Sequence, residues 1–421
     1  MLKVKSLATE ESKLQNGATL LYTPIETAPR LAFSMFLPGG NLLDPIPGLS
    51  DMVDRLLMKG TKTRSQEQIS VEIDGLTLEV DSDTKRDYTA IHATMLEEDL
   101  EASFELISDF FHNATFAEFE REKQKVAGEV MMDLDSPKSR ASDQFIRGIF
   151  QNTPYGTVGS EILESLAKMD SVEALQTYYA NAFNPKNLIV SVAGNIKADT
   201  VAKTIENFFP ANGKAVASVA PEIESRVQGL TLSKDELVTF ARDDSSQAHI
   251  YKGWLMPNNR HEDYAPIALL NTILGAAGLS SRLFLELRDK QGLAYNVRSS
   301  YEAFKHKGLF SLYIGTEPKN KEKCLKGFID EVDKLINIPV SEQELADAKR
   351  NILGRRSVFL ETAHQQANYI GANYTLGRSL EEVWLVPEQL QAVTSADIQR
   401  VAQQYLTQPS LVSIVGPSKI L

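Results

Sequence analysis

Few residues of this chain are of types and spacings that could do chemistry. Its six histidines (His92, His112, His249, His261, His306 and His364) are scattered, and no two stand at i, i+4. A helical pair of imidazoles for a metal is therefore absent. The single cysteine, Cys324, forbids an intrachain disulfide and a thiolate zinc site, and reads as a small buried hydrophobe. Arg288 and Tyr295 flank Gln291-Gly-Leu-Ala294, where Gly292 lets a helix end and a strand begin. A guanidinium and a phenol are both hydrogen-bond donors, but an Arg and a Tyr at that spacing mean little alone. The spacing alone equally fits a helix-end cation and a tyrosine in a strand core. Gly275-Ala-Ala-Gly-Leu-Ser-Ser281 lacks the strand-then-helix context of a phosphate loop and reads as a tight connection.

The elements that must position these residues form a repeating pattern. Phe183-Asn-Pro-Lys-Asn-Leu-Ile-Val-Ser-Val-Ala-Gly194 lines up with Tyr405-Leu-Thr-Gln-Pro-Ser-Leu-Val-Ser-Ile-Val-Gly416. Each copy follows a helical stretch (172–182 and 395–405), crosses a Pro-containing turn and becomes a continuous apolar run, as a buried strand does. A tandem duplication follows. In the first half, 30–37 and 76–80 read as strands, and 100–111 and 116–133 as helices. Leu49, Met52, Val53, Leu56 and Leu57 recur at helical spacing, which leaves Asp51, Asp54 and Arg55 for a solvated face. The second half repeats the order: strands at 248–255, 294–303 and 308–316, and helices at 265–274, 281–289, 321–336 and 341–374. The segment 210–229, rich in Pro, Ala, Gly and Ser, reads as a linker. The expected division is 1–215, a linker at 216–228, and 229–421. Mixed strands and helices in two similar halves predict an α+β fold, each half a mixed or antiparallel sheet with helices packed on it.

Composition narrows the function classes. With 421 residues, 43% hydrophobic and 24% charged, the chain has the profile of an ordinary globular protein. Asp plus Glu number 56 against 44 for Lys plus Arg, a net charge of -12, and no basic block interrupts that field, which excludes a nucleic-acid partner. No apolar run reaches the ~20 residues that span a bilayer. Residues 1–16 are polar and charged, unlike a signal peptide or anchor, which suits a cytoplasmic protein or a periplasmic one whose leader has been removed.

Several separate stretches in order resemble the pitrilysin and insulinase family of zinc metallopeptidases, in particular its two-half, processing-peptidase-like bacterial type. They are Gly48-Leu-Ser-Asp-Met-Val-Asp-Arg-Leu-Leu-Met-Lys-Gly-Thr61, the helix from Glu122 to Glu129, Pro154-Tyr-Gly156, Asn184-Pro-Lys-Asn-Leu, Ser281-Arg-Leu-Phe and Leu287-Arg-Asp-Lys-Gln-Gly-Leu-Ala-Tyr295. The resemblance spans nearly the whole chain. It implies a clamshell half and an inverted H-x-x-E-H zinc motif, completed by a Glu from a later helix. Aligned on Gly60-Thr61, the motif positions here are Asp51, Met52, Val53, Asp54 and Arg55. Both histidines are gone. Arg55 has no lone pair to donate and would repel a dication. Glu122 and Glu129 keep the spacing of the family's acidic pair, with Glu129 at the metal-ligand position. The resemblance thus implies a degenerate site in which Arg55 pairs with Glu129 and with Asp51. No metal is expected in this chain, since a site built from Asp51, Asp54 and Glu129 would lie beside a fixed positive charge.

The resemblance further implies that Arg288 and Tyr295 reach substrate at the zinc site of a partner. The expected function is a non-zinc-binding subunit that completes the active site of a homologous, zinc-bearing peptidase subunit acting on peptides or small unfolded proteins. The alternative is a scaffold without catalytic role, similar to the core subunits of respiratory complexes that share this fold. The long glycine-rich loop of the noncatalytic mitochondrial processing subunit is absent. The stretch 75–80 matches the region where the family adds a substrate strand, followed by an unusually acidic Asp81-Ser-Asp83.

Overall fold

A computed structural model describes residues 8–26, 30–211 and 218–421. The first sheet contains β1 (Glu10–Lys13), β2 (Thr19–Pro24), β3 (Leu31–Pro38), β4 (Glu79–Thr84), β5 (Tyr88–Met95) and β6 (Ile189–Gly194), in the order β1-β2-β6-β3-β5-β4. The second contains β7 (Glu236–Ala241), β8 (Ala248–Met256), β9 (Ala294–Ala303), β10 (Gly308–Thr316) and β11 (Leu411–Gly416), in the order β7-β11-β8-β10-β9. Without β1 the two orders are the same, and each holds one parallel pair, β2 with β6 and β7 with β11. The Asn184 and Pro409 stretches feed β6 and β11, so the duplication read from sequence is a duplication of topology.

Both faces of β3 are buried, and the two faces have different owners. Leu31, Phe33, Met35 and Leu37 join the large core of the first half with Leu49, Met52, Val53 and Leu56. On the opposite face, Ala32 and Ala193 meet Ala367 of the helix Ala363–Thr375, which comes from the second half. Small residues permit this close approach: a Cβ on Gly371 would lie 2.2 Å from Cε2 of Phe36. The exchange is reciprocal. The helix Pro137–Ile149 of the first half lies on β8 and β11, burying Ala141 and Phe145, and a Cβ on its Gly148 would lie 2.5 Å from Leu411. Ser413 Oγ donates to the Ala141 carbonyl at 2.9 Å.

Two hairpin turns meet at the seam between the halves. Asp87, between β4 and β5, accepts a hydrogen bond from Tyr155 Oη at 2.5 Å and another from the Lys305 amide at 3.1 Å, between β9 and β10. Tyr155 Oη in turn accepts from the His306 amide at 3.2 Å. Arg86 covers the ring of Phe304 at 4.8 Å and donates to the Tyr155 carbonyl. Tyr155 and Asp87 are buried, and burial raises the Asp87 carboxyl above its ordinary range.

Several expected boundaries shift. The strand expected at 76–80 begins at Glu79, because the preceding helix Gln66–Gly75 closes through Thr77 in the left-handed region at φ 49°. The helix expected at 341–374 is two, Glu342–Phe359 and Ala363–Thr375. Thr362 caps the second by accepting from the Gln365 amide, and the bend turns that helix onto the first sheet. The helix expected from 281 runs from Phe284 to Lys290 in wide π turns. The expected linker at 216–228 begins outside the described residues, and its remainder holds the helix Pro221–Gln228, whose Val227 is buried.

Candidate functional site

The helix Leu49–Leu56 starts after Gly48, which takes a left-handed φ of 82° that a side chain would strain. Its apolar residues face the core, so Asp51, Asp54 and Arg55 point toward β4 and the helix Phe119–Asp135. Arg55 Nη1 lies 2.9 Å from Glu129 Oε2 and 3.5 Å from Glu122 Oε1. Lys125, one turn from each glutamate, stands 3.7 and 3.8 Å away. Glu122 has 8% of its side chain exposed, against 39% for Arg55 and 44% for Glu129, so the guanidinium bridges a buried and a half-exposed carboxylate.

The two aspartates are not on a solvated face. Asp51 accepts from Asn41 Nδ2 at 3.1 Å and forms no ion pair with Arg55, which corrects the expected pairing one turn along the helix. The reason is steric order: Asn41 and Ser50 hold the start of the helix against Asp44, which accepts from the Ser50 amide and hydroxyl at 2.9 Å. Burial pushes the carboxyl of Asp54 up to about 7 and that of Asp44 up to about 8, with a further rise from Asp51 beside each. Asp54 Oδ1 is buried without a hydrogen-bond partner. Sequence reasoning missed Asp44 and Asn41, and it placed Glu122 in the site without its pairing to Arg55. Only the succession Asp44 to Ser50, before an apolar-periodic run, hints at a helix-start clamp.

These residues do not fit zinc. The guanidinium fills the space where a second nitrogen ligand would have to face Glu129, and a guanidinium donates no lone pair. Among the described residues no three His, Cys, Asp or Glu side chains gather as a metal site elsewhere.

Arg288 and Tyr295 are brought together. Leu287 and Leu293 are buried, the Leu293 amide donates to the Leu287 carbonyl at 2.9 Å, and Gly292 turns between them at φ 61°. This fixes Arg288 over Phe284 at 4.6 Å and over Tyr295 at 4.8 Å, cation–π distances that hold the guanidinium in place without using its N–H groups. Tyr295 is 83% exposed, so it is not a strand core residue. Among the described residues its hydroxyl has no partner. No ion pair or hydrogen bond joins this pair to Arg55, Glu122 or Glu129 in the same chain. β4 is an edge of the first sheet, and two of its three acidic residues are engaged: Glu79 with Arg30 at 2.7 Å, and Asp83 with Lys85 at 2.5 Å and with His92 at 3.5 Å. Among the described residues no helix is long and apolar enough to cross a membrane.

Comparison with known proteins bears on the fold and the family. Residues 26–158 match the model of insulinase (peptidase family M16), and residues 171–352 match that of the peptidase M16 inactive domain. An uncharacterized zinc protease of Bacillus subtilis, YmxG, is 27% identical over 96% of this chain and 97% of its own. One from Mycobacterium leprae is 27% identical over 88% of this chain and 83% of its own. Among solved structures, a protease from Helicobacter pylori superimposes with a TM-score of 0.88 at 21% identity over 98% of this chain and 100% of its own. A peptidase M16 inactive domain from Pseudomonas fluorescens gives 0.87 at 21% identity, over 98% and 99%. The fold is that of M16 clamshell halves, and with the two matched segments covering most of its length, the chain belongs to the M16 peptidase family.

Proposed function

We propose that this chain is the non-zinc-binding subunit of a two-chain M16 peptidase, and that it supplies Arg288 and Tyr295 to the active site of a homologous, zinc-bearing partner that cleaves peptides. The observation that carries this reading is the exposure of the Tyr295 ring beside Arg288, whose guanidinium lies over that ring at 4.8 Å. A core tyrosine would bury its ring, and a solvated arginine would not be clamped between two rings. When a peptide carbonyl is attacked by water, negative charge develops on its oxygen. A phenolic O–H and a guanidinium N–H placed in advance stabilise that charge more than the ground-state carbonyl, and so lower the barrier. The bridge from Arg55 to Glu122 and Glu129 keeps the site in its own chain charge-balanced without metal. Zinc belongs, in this reading, to the partner alone.

The test is size-exclusion chromatography with a fluorogenic peptide assay on the chain mixed with a zinc-bearing homologue. The mixture should show turnover that neither chain shows alone. Tyr295→Phe removes only the hydroxyl and should lower turnover ~100-fold, the scale of one oxyanion donor, with assembly intact. A complex that assembles normally and turns over equally well with Phe at 295 would make this chain a scaffold.

A further inference from the structure

A second donor-rich site lies on the face of β9 opposite the second half's main core, against the buried cluster of Phe145, Tyr251, Leu309 and Tyr313. Ser142, Phe145 and Ile146 of the first half's exchanged helix close over β8, β9 and β10 to leave a cleft of about 110 Å³, well above what one water requires. The strand register sets its floor. Arg298 pairs with Tyr313, Ser300 with Ser311 and Glu302 with Leu309, while Tyr251 lies opposite Tyr313 on the other side. All these side chains project to one face because residues two apart on a strand do. Tyr251 is stacked on Phe145 at 5.4 Å, with its hydroxyl in reach of Ser142 and Arg298.

The groups in the cleft lack protein partners of the right kind. Among the described residues neither the Ser300 nor the Ser311 hydroxyl has a hydrogen-bond partner, although Ser311 is 8% exposed. Arg298 stands 5.7 Å over the Tyr313 ring and has no carboxylate within ion-pair distance among the described residues; nor has Lys138, 5.5 Å over the same ring. Both cations lie over the same Tyr313 ring, and Arg298 is the one that lines the cleft. The one carboxylate lining the cleft, Glu302, is opposed by the half-buried Arg86 guanidinium.

We propose that this cleft binds a small oxyanion, a carboxylate or a phosphate group, with the Arg298 guanidinium facing two of its oxygens and the Ser142, Ser300 and Ser311 hydroxyls donating to it. A planar guanidinium matches such a group bidentately, and a hydroxyl rotates to donate where an oxygen presents itself. Two sources carry this chemistry, free phosphate and the terminal carboxylate of a peptide. The site rests on this chain alone, whether or not the chain completes a partner's active site.

Isothermal titration calorimetry of the full chain, without partner, tests it. The probes are inorganic phosphate and two short peptides identical but for a free or amidated C-terminus, each against matched sodium chloride. Saturable one-to-one binding of phosphate or of the free-acid peptide is expected. Arg298→Gln should weaken it at least ~10-fold, and Ser300→Ala with Ser311→Ala by a smaller factor, about 3- to 10-fold. Both variants should keep the wild-type circular dichroism and melting temperature. Binding of the free acid lost on amidation assigns the site to peptide termini, and phosphate binding alone assigns it to free anions. No saturable heat with any probe, or equal binding by a folded Arg298→Gln chain, would overturn the proposal.

Discussion

Replacing Tyr155 by Phe removes one oxygen from the seam between the halves, and its cost follows from the two hydrogen bonds that this oxygen makes. The hydroxyl donates to Asp87 at 2.5 Å and accepts from the His306 amide at 3.2 Å. Tyr155 is fully buried and Asp87 is 3% exposed, so water cannot replace either bond. A hydrogen bond to a charged group contributes about 1.5–3 kcal/mol, and a buried amide left without an acceptor costs about 1–3 kcal/mol. Asp87 keeps the Lys305 amide at 3.1 Å, which offsets part of the loss. The expected destabilisation is about 3 kcal/mol. If both halves unfold as one unit, the melting temperature should fall by ~3–4 °C; if one half unfolds first, by ~7 °C. Scanning calorimetry reads both the shift and the number of transitions. The hydroxyl matters most to the ionised carboxylate, and burial raises the Asp87 carboxyl, so the deficit should shrink as pH falls into the acid range. A melting temperature within about 0.5 °C of wild type at pH 8, with Asp87→Asn equally silent, would refute the reasoning.

Asp54 gives a pH prediction of definite sign. Its folded carboxyl is raised to about 7 by burial, so its contribution favours the folded state in acid and is lost as pH rises from ~4 through ~7. Asp54→Asn should therefore flatten the pH dependence and be more stable than wild type at pH 8 by about 1–3 kcal/mol in urea titrations; a less stable variant at that pH would refute the burial argument. Arg55→Ala should destabilise by about 1–2 kcal/mol, below the cost of breaking a fully buried pair, since Arg55 is 39% exposed and Lys125 remains 3.7 Å from Glu122. Arg55→Lys should recover part of that loss, and a silent Arg55→Ala would mark the bridge as a surface contact. Gly371→Ala drives a methyl into the fully buried Phe36 ring, so a loss of about 1–3 kcal/mol is expected, and denaturant unfolding at wild-type stability would contradict the close packing.

The sheet pattern was legible because it is local: Leu188 to Gly194 and Ser410 to Gly416 are apolar runs after Pro-containing turns, and each forms the strand expected of it. What escaped depends on distant partners. Nothing in 341–374 announces that Ala363–Thr375 covers the other half's sheet, since the cover requires Ala32, Phe36 and Ala193 to be placed first. Thr362 was the available sign, a cap residue inside an otherwise helical run. Leu76 and Leu78 are apolar enough for a strand, but they pack beneath the sheet as the chain turns, and the strand follows as Glu79 to Thr84. Arg55 could be set facing Glu129 only through a resemblance, because no spacing relates residue 55 to residue 129. The burial of Asp51 and Asp54 was illegible for a similar reason: on their own helix they occupy the polar face, and it is β4 and the 40–44 turn that cover them.

The reciprocal exchange of helices makes the two halves unequal in time. During synthesis from the N-terminus, every strand of the first sheet has been made once Gly194 emerges, yet the face bearing Ala32, Phe36 and Ala193 stays bare until Ala363–Thr375 follows. The second sheet meets no such delay, for its cover, Pro137–Ile149, precedes all of its strands. A nascent first half must therefore wait through the translation of most of the second half with an apolar surface uncovered, the interval in which chaperone binding or aggregation competes with folding. A chain ending before residue 363 would retain every strand of the first sheet and the whole Arg55 bridge, but would leave that face open for good.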